Sequence, residues 1–104
     1  MLEELFVYAT LKDKNLQKKI INRIPESNKS TLKKHYIEYF KNKGENYAFI
    51  KSDAKKEVNG LVLLVNQWEL KKFDKYEGSL YQRQKVFLES GKIAWMYNLK
   101  DAIN

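Results

Sequence analysis

Residues 73–83 read FDKYEGSLYQR, and this stretch marks the place where a helix should give way to an extended segment. Upstream, Asn66 and Glu69 have the N-x-x-E spacing of a capping box, which predicts that a helix starts there. Gly78 is suited to the left-handed backbone conformation that commonly ends a helix. The pattern therefore predicts a helix over about residues 67–77, followed by a strand.

The face of this predicted helix that should pack on the core includes acidic residues. At about 100° per residue, the residues on that face are Leu70, Phe73, Asp74 and Glu77. Burial and the negative end of the helix dipole both disfavour a charged carboxylate, so we expect the pKa of Glu77 to rise. Two other interpretations stay open. The helix could fray so that Glu77 enters solvent, or Glu77 could form a structural salt bridge with Arg83.

The segments before this helix predict a strand, a helix and further strands. ELFVYATL (4–11) indicates a buried strand that runs into a tight loop. Asp13 can cap a helix that continues through Arg23, with an apolar stripe formed by Leu16, Ile20 and Ile24. Pro25 prevents continuation, and IPESNKS (24–30) is predicted to be a loop.

The centre and end of the chain predict several more strands. Strands are expected over TLKKHYIEYF (31–40) and YAFIK (47–51), joined by the turn NKGEN. A polar loop, SDAKKE (52–57), should precede VNGLVLLV (58–65), whose unbroken apolar run predicts a strand covered on both faces. YQRQKVFLE and IAWMYNL, separated by SGK, indicate a terminal hairpin. This order predicts a single α+β domain over residues 1–104, with a strongly curved or closed sheet.

Composition excludes several classes of protein. The chain has 104 residues, of which 43% are hydrophobic, so it has enough apolar material for one core. It has no cysteine and one histidine, which argues against disulfides and metal sites. No apolar run approaches the roughly 20 residues that cross a bilayer, and the N-terminus lacks signal-peptide features. A cytoplasmic protein without membrane contact is predicted.

The net charge of +7 raises the question of a nucleic-acid partner. Of the 20 basic residues, however, Arg23 and Arg83 are the two arginines, and arginine is the residue that forks onto phosphates and guanine. The lysines are spread along the chain among acids. We interpret them as a solvated surface and regard nucleic-acid binding as the less favoured hypothesis.

Three motifs in order give the chain a resemblance to a known family. They are LFVYATLK near the start, VNGLVLLV in the middle and FDKYEGSLYQR, followed by a closing AWMY. With these motifs the chain resembles the γ-glutamylcyclotransferase-like family, in particular its small γ-glutamylamine cyclotransferase-like branch. The resemblance spans nearly the whole chain and implies a small mixed, largely antiparallel β-barrel flanked by two helices.

The resemblance also implies a cavity at one end of the barrel and an enzymatic activity. Backbone amides of the first loop, carried over to Tyr8, Ala9, Thr10 and Leu11, would hold a γ-glutamyl group. Glu77 would act as the general acid/base while a small-molecule γ-glutamyl amine or related compound cyclises to 5-oxoproline and releases an amine. No cofactor or metal is implied.

The other residues considered near this implied site are not expected to take part in the chemistry. Tyr81 and Arg83 are expected to order the wall near Glu77, whereas His35 is expected to be a strand residue without a catalytic role. Ala9 stands where the family usually has glycine, which would cost about 1 to 2 kcal/mol if the loop needed positive φ.

Two other functions remain open at this point. The first is a catalytically silent domain that binds a carboxylate metabolite, and the second is a basic domain that binds RNA or an acidic protein. The leaving amine and the oligomeric state are also open.

Overall fold

The computed structural model describes residues 2–100, which form five strands and two helices. The elements in chain order are β1 (Glu3–Val7), α1 (Lys14–Ile21), β2 (Ser27–Asn42), β3 (Glu45–Val65), α2 (Gln67–Glu77), β4 (Tyr81–Phe87) and β5 (Ile93–Leu99). A short 3₁₀ turn, Thr10–Lys12, lies between β1 and α1. This is the predicted order of elements.

The five strands form one sheet in the order β2-β3-β1-β5-β4. The central pair β1 and β5 is parallel, and the other pairs are antiparallel. The sheet is curled so that its two halves approach each other. The side chain of Asn98 bonds both backbone groups of Ile50, at 2.9 and 3.2 Å, and the amide of Glu89 donates to the carbonyl oxygen of Thr31 at 2.9 Å. The predicted fold class is confirmed, with a curled sheet instead of a closed ladder.

The long β2–β3 hairpin differs from the prediction in two segments. The loop predicted over 24–30 is wrong in its second half, because residues 27–30 begin β2 and pair with residues 60–63 of β3. The turn of the hairpin is as expected, with Lys43 and Gly44 both at positive φ (53° and 83°), as in the two-residue turns that match strand twist. The predicted loop over 52–57 is wrong, because these residues lie within β3. The ladder is nevertheless irregular there. Residues 53–56 lie opposite Lys34 alone, which has φ 65°. A bulge of this kind bends the hairpin, and a polar sequence does not distinguish it from a loop.

The sheet is covered on both of its faces. Towards the inside of the curl, one cluster includes Phe6, Val62 and Met96, and beneath the helices a second cluster includes Leu63 and Phe73. The prediction that VNGLVLLV is buried on both faces is therefore confirmed. Gly60 lies on this strand where a Cβ atom would collide with the carbonyl oxygen of Val7 and the ring of Phe6. Glycine therefore permits the close approach of β3 to β1.

Helix α2 has the predicted bounds and caps. The Asn66 side chain accepts from the Glu69 amide at 2.8 Å, and Glu69 Oε1 accepts from the Asn66 amide at 3.0 Å. Gly78 has φ 78° as expected, but its ψ of −164° places it in an extended conformation open almost solely to glycine, and not in the left-handed helical region.

Helix α1 is shorter than predicted. Asp13 caps it, since its side chain accepts from the Leu16 amide at 3.0 Å. The helix ends at Ile21 because Asn22 adopts a left-handed conformation (φ 63°, ψ 21°). The predicted apolar stripe is therefore wrong at its last position: Ile21 is buried, whereas Ile24 is 49% exposed. Within residues 2–100, no helix has the length and apolar character needed to cross a membrane.

Candidate active site

The last residue of α2, Glu77, lines a cavity of about 1010 Å³ that also contains the first loop of the chain. Tyr8, Ala9, Thr10 and Leu11 all line this cavity, and so does Tyr81 at the start of β4. The structure thus brings together the residues that the resemblance assigns to substrate binding and proton transfer. Arg83 lies outside the cavity lining.

The opposite wall of the cavity comes from the far half of the β2–β3 hairpin. Ile37 and Ala48 pack against the inner core cluster, and together with Tyr39 they face the first loop across the cavity. The hydroxyl of Tyr81 donates to the carbonyl oxygen of Ala48 at 2.7 Å, which ties β4 to this wall. No local sequence pattern predicts that residues 37–48 contribute to the site, because their position follows from the bend of the hairpin.

Glu77 is partly buried, and no salt bridge to it is found among the residues that the structure describes. Burial raises the pKa of its carboxyl group from 4.5 to about 7. The two structural interpretations of Glu77 are therefore wrong. The helix includes this residue instead of fraying before it, and Arg83 pairs with Asp74. A carboxyl group with this pKa can both accept and donate a proton near neutral pH.

The first loop has three backbone N–H groups that find no acceptor among residues 2–100. The amides of Lys12 and Asp13 donate to the carbonyl oxygens of Ala9 and Thr10, both at 3.0 Å. Within residues 2–100, no group accepts a hydrogen bond from the amides of Ala9, Thr10 or Leu11. These amides begin a 3₁₀ turn, where the first N–H groups have no internal acceptor. They are available to an anionic or carbonyl oxygen in the cavity.

The loop conformation removes the expected penalty at Ala9. This residue has φ −136°, outside the region that favours glycine, so the anticipated cost of a Cβ at positive φ does not arise. A hydrogen bond from α1 also holds the loop: the buried side-chain amide of Gln17 donates to the carbonyl oxygen of Leu11 at 2.8 Å.

Tyrosine dominates the cavity wall. Six of the seven tyrosines in the chain line it, namely Tyr8, Tyr39, Tyr47, Tyr76, Tyr81 and Tyr97. Burial raises the pKa of Tyr81 to about 12 and also raises the pKa values of Tyr8 and Tyr97. These phenols are therefore neutral at physiological pH. These three tyrosines supply aromatic surface and hydroxyl dipoles, and they add no negative charge beside Glu77.

The structure shows a supporting pair that the sequence did not predict. Arg83 binds Asp74 in a bidentate arrangement, with nitrogen to oxygen distances of 2.7 and 3.1 Å. The Tyr97 hydroxyl donates to the same carboxylate at 2.6 Å. The helical period places Asp74 on the inner face of α2, but no local signal in the sequence identifies its partner. His35 lies at the β2 bulge, where Nδ1 is 2.7 Å from the Lys33 carbonyl oxygen and outside the cavity.

Over residues 2–100, no three His, Cys, Asp or Glu side chains are grouped in a way that could hold a metal ion.

Comparison with known proteins decides the family. The model of the family described as "Gamma-glutamyl cyclotransferase, AIG2-like" matches residues 5–103. The chain belongs to this family. Its relatives include AIG2-like protein A of Arabidopsis thaliana, 35% identical over 86 residues, which are 82% of this chain and 51% of the relative. AIG2-like protein C of the same plant is 33% identical over 84 residues, which are 80% and 48% of the two chains. This family member thus spans about half the length of these relatives.

Solved structures share the fold of this family member. An Arabidopsis thaliana protein with a solution structure has a TM-score of 0.79 and 29% identity, with 99% of this chain and 72% of the other covered. A structure described as "Gamma-glutamyl cyclotransferase" has a TM-score of 0.76 and 16% identity, with coverage of 96% and 68%. At that identity the second likeness concerns the fold alone.

Proposed function

We propose that this chain cyclises a γ-glutamyl amine, or a related γ-glutamyl compound, to 5-oxoproline and releases the amine. The observation that carries the proposal is the position of Glu77, a partly buried carboxyl group with a pKa of about 7 in the same cavity as the free amides of Ala9, Thr10 and Leu11. Membership of the family makes this reaction class the first one to test.

The reaction needs one proton acceptor that becomes a proton donor. The α-ammonium group of the substrate loses a proton to the Glu77 carboxylate, and the free amine attacks the γ-carbonyl carbon of the same molecule. A carbon–nitrogen bond forms and closes the five-membered ring. The bond from that carbon to the leaving nitrogen then breaks as Glu77 returns the proton to this nitrogen. The Glu77 carboxylate formed in this way takes the second proton from the ring nitrogen, which becomes the N–H of the ring amide, and passes this proton to the released amine, which leaves as an ammonium ion. The products are 5-oxoproline and an amine, and no water is consumed.

The rest of the cavity would favour this cyclisation by orientation and by charge stabilisation. The reaction is intramolecular, so its main requirement is a folded substrate conformer that brings the amine to the carbonyl carbon. The unpartnered loop amides are suited to bind the substrate oxygens, including the γ-oxygen as it gains negative charge. The tyrosine rings that line the cavity would exclude water from the reacting atoms.

The test is an assay for 5-oxoproline with a panel of γ-glutamyl amines and γ-glutamyl amino acids. We expect turnover of at least one member, and we expect Glu77→Gln to lower kcat by about 10²- to 10⁴-fold. Glu69→Gln is the matched control, because Glu69 lies on the same helix, is buried and does not line the cavity. This control should keep its turnover.

Three results would contradict the proposal. Turnover that survives in the Glu77→Gln variant would remove this residue from the mechanism. Equal loss in the Glu69→Gln variant would indicate damage to the helix instead of a chemical role. Absence of turnover across the panel, with 5-oxoproline raising the Tm, would identify a silent binding domain in place of an enzyme.

A further inference from the structure

Two acids project from the same face of α2, and one of them is paired. Asp74 and Glu77 are three residues apart on the helix, a spacing that places their Cβ atoms about 5 to 6 Å from each other. Asp74 receives the forked guanidinium of Arg83 and the hydroxyl of Tyr97. Glu77 forms no salt bridge with the residues that the structure describes. The guanidinium on β4 therefore pairs with one of two neighbouring carboxylates.

The position of Arg83 is held by more than this ion pair. Its guanidinium carbon lies 4.6 Å from the centre of the Trp95 ring, within the range of a cation–π contact. Arg83 also lies directly opposite Tyr97 in the β4–β5 ladder. The strand pairing, the aromatic ring and the Asp74 carboxylate thus fix the cation outside the cavity lining.

The same carboxylate also orders part of the cavity wall. Tyr97 donates its hydroxyl to Asp74 at 2.6 Å, and its backbone oxygen accepts the hydroxyl of Tyr8 at 2.8 Å. Tyr8 begins the loop whose amides are free. A chain of hydrogen bonds therefore connects Asp74 through Tyr97 to the first loop, and all its members are at least partly buried.

We infer that Asp74 is a positioning residue that holds Arg83 away from Glu77 and fixes Tyr97 against the first loop, so that the carboxyl group of Glu77 stays unpaired. The inference rests on the proposed function for its importance to catalysis. Its structural part is that Arg83 pairs with Asp74 and not with Glu77. This part can be tested without any substrate, through the pKa of Glu77.

The electrostatic consequence has a definite sign. A cation close to Glu77 would stabilise the carboxylate and lower its pKa, which opposes its use as a base near neutral pH. Asp74 both retains Arg83 and compensates its charge. Among residues 2–100, the other titratable groups that line the cavity are the six tyrosines named above, with Lys12 from the first loop and Glu45 from the β2–β3 turn. The substitutions below leave these groups unchanged.

The experiment is an NMR titration of the Glu77 side-chain carboxyl in wild type and three variants. In Asp74→Asn the charge of Arg83 is uncompensated, so we expect the pKa of Glu77 to fall by about half a unit to one unit. In Arg83→Gln the charge of Asp74 is uncompensated, so the pKa should rise. In the double variant both charges are absent, and the value should return to within about 0.3 unit of wild type.

The outcome that overturns the inference is the same Glu77 pKa in all four proteins, which would make the pair a purely structural contact. A fall in the Arg83→Gln variant would also overturn it, and this variant decides the question if Asp74→Asn does not fold. If the protein turns over a substrate, the acidic limb of the pH–rate profile should shift to lower pH in Asp74→Asn and to higher pH in Arg83→Gln. If wild type shows no turnover, the proposed function fails, while the titration still tests the position of the cation.

Discussion

The two ends of helix α2 each hold a glutamate that is removed from bulk water, and the two side chains have opposite surroundings. At the first turn, Glu69 accepts two hydrogen bonds from Arg23, at 2.6 and 2.7 Å, and one from the Asn66 amide. The hydrogen bond from Arg23 is the main cause that lowers the pKa of Glu69, although burial opposes it. At the last turn, Glu77 lacks such an ion pair among residues 2–100, and burial raises its pKa to about 7.

This contrast separates a stabilising acid from a reactive one. Glu69 closes the capping box and connects α2 to Arg23, two residues after the end of α1, so its charge stabilises the fold. The charge of Glu77 is stabilised neither by a cation nor by the helix dipole, so the folded state holds it at a cost. A group of this kind in a cavity is a candidate functional residue, because no structural benefit accounts for its position.

The largest expected effect concerns the pH dependence of turnover. If Glu77 is the base, it must be ionised, so kcat/KM should fall about tenfold for each pH unit below its pKa of about 7. The substrate ammonium group stays protonated over this range and does not mask the limb. Initial rates of 5-oxoproline formation between pH 5 and 8 provide the measurement. A kcat/KM that does not change with pH would mean that Glu77, like Glu69, has only a structural role.

The second effect concerns the pH dependence of the free energy of unfolding, and its sign follows from the raised pKa of Glu77. Between 4.5, the unfolded value, and about 7, the folded state binds the Glu77 proton more tightly, so the free energy of unfolding decreases as pH rises. Above pH 7 the loss has an upper limit of about 3 kcal/mol. Glu77→Gln should therefore stabilise the protein at pH 8 and have little effect at pH 4. Urea unfolding at both pH values tests this, and destabilisation at pH 8 would contradict it.

A smaller effect of opposite sign is expected at the other end of the helix. The lowered pKa of Glu69 contributes stability above the unfolded value of 4.5, and this contribution is lost as pH falls through the folded value. Glu69→Gln should lower the free energy of unfolding by about 1 to 2 kcal/mol at pH 7. The expected loss is no larger because Arg23 is 44% exposed and solvent screens the ion pair. Urea unfolding should show this cost and its disappearance in acid. An unchanged free energy of unfolding at pH 7 would show that the ion pair contributes nothing.

The smallest effect is expected in the loop opposite Glu77. Because Ala9 has φ −136°, Ala9→Gly has no positive-φ strain to relieve and instead adds freedom to the unfolded chain. We expect a loss of about 0.5 to 1 kcal/mol in the free energy of unfolding, with turnover close to wild type. A large gain in turnover would instead mean that the Cβ of Ala9 narrows the cavity or constrains the loop.

The sequence predicted the elements whose signals are local. The capping residues Asn66 and Glu69 gave the start of α2, and Gly78 gave its end. The period of the helix placed Glu77 on the inner face next to Phe73. The errors occurred where packing overrides local preference, as in the segment 53–56, where pairing with β2 turns a polar stretch into a bulged strand.

By itself, the sequence determined which residues α2 turns towards the core, because the spacing of side chains along a helix is set by the backbone within each turn. It also determined the loop that follows β1, through the motif that resembles the family. The tertiary structure decided that Arg83 pairs with Asp74 and that part of the β2–β3 hairpin lines the same cavity as the first loop. It also decided that Glu77 is partly buried without a salt bridge among residues 2–100. These contacts join residues far apart in the chain, and their distances depend on the curl of the sheet, which no local pattern specifies.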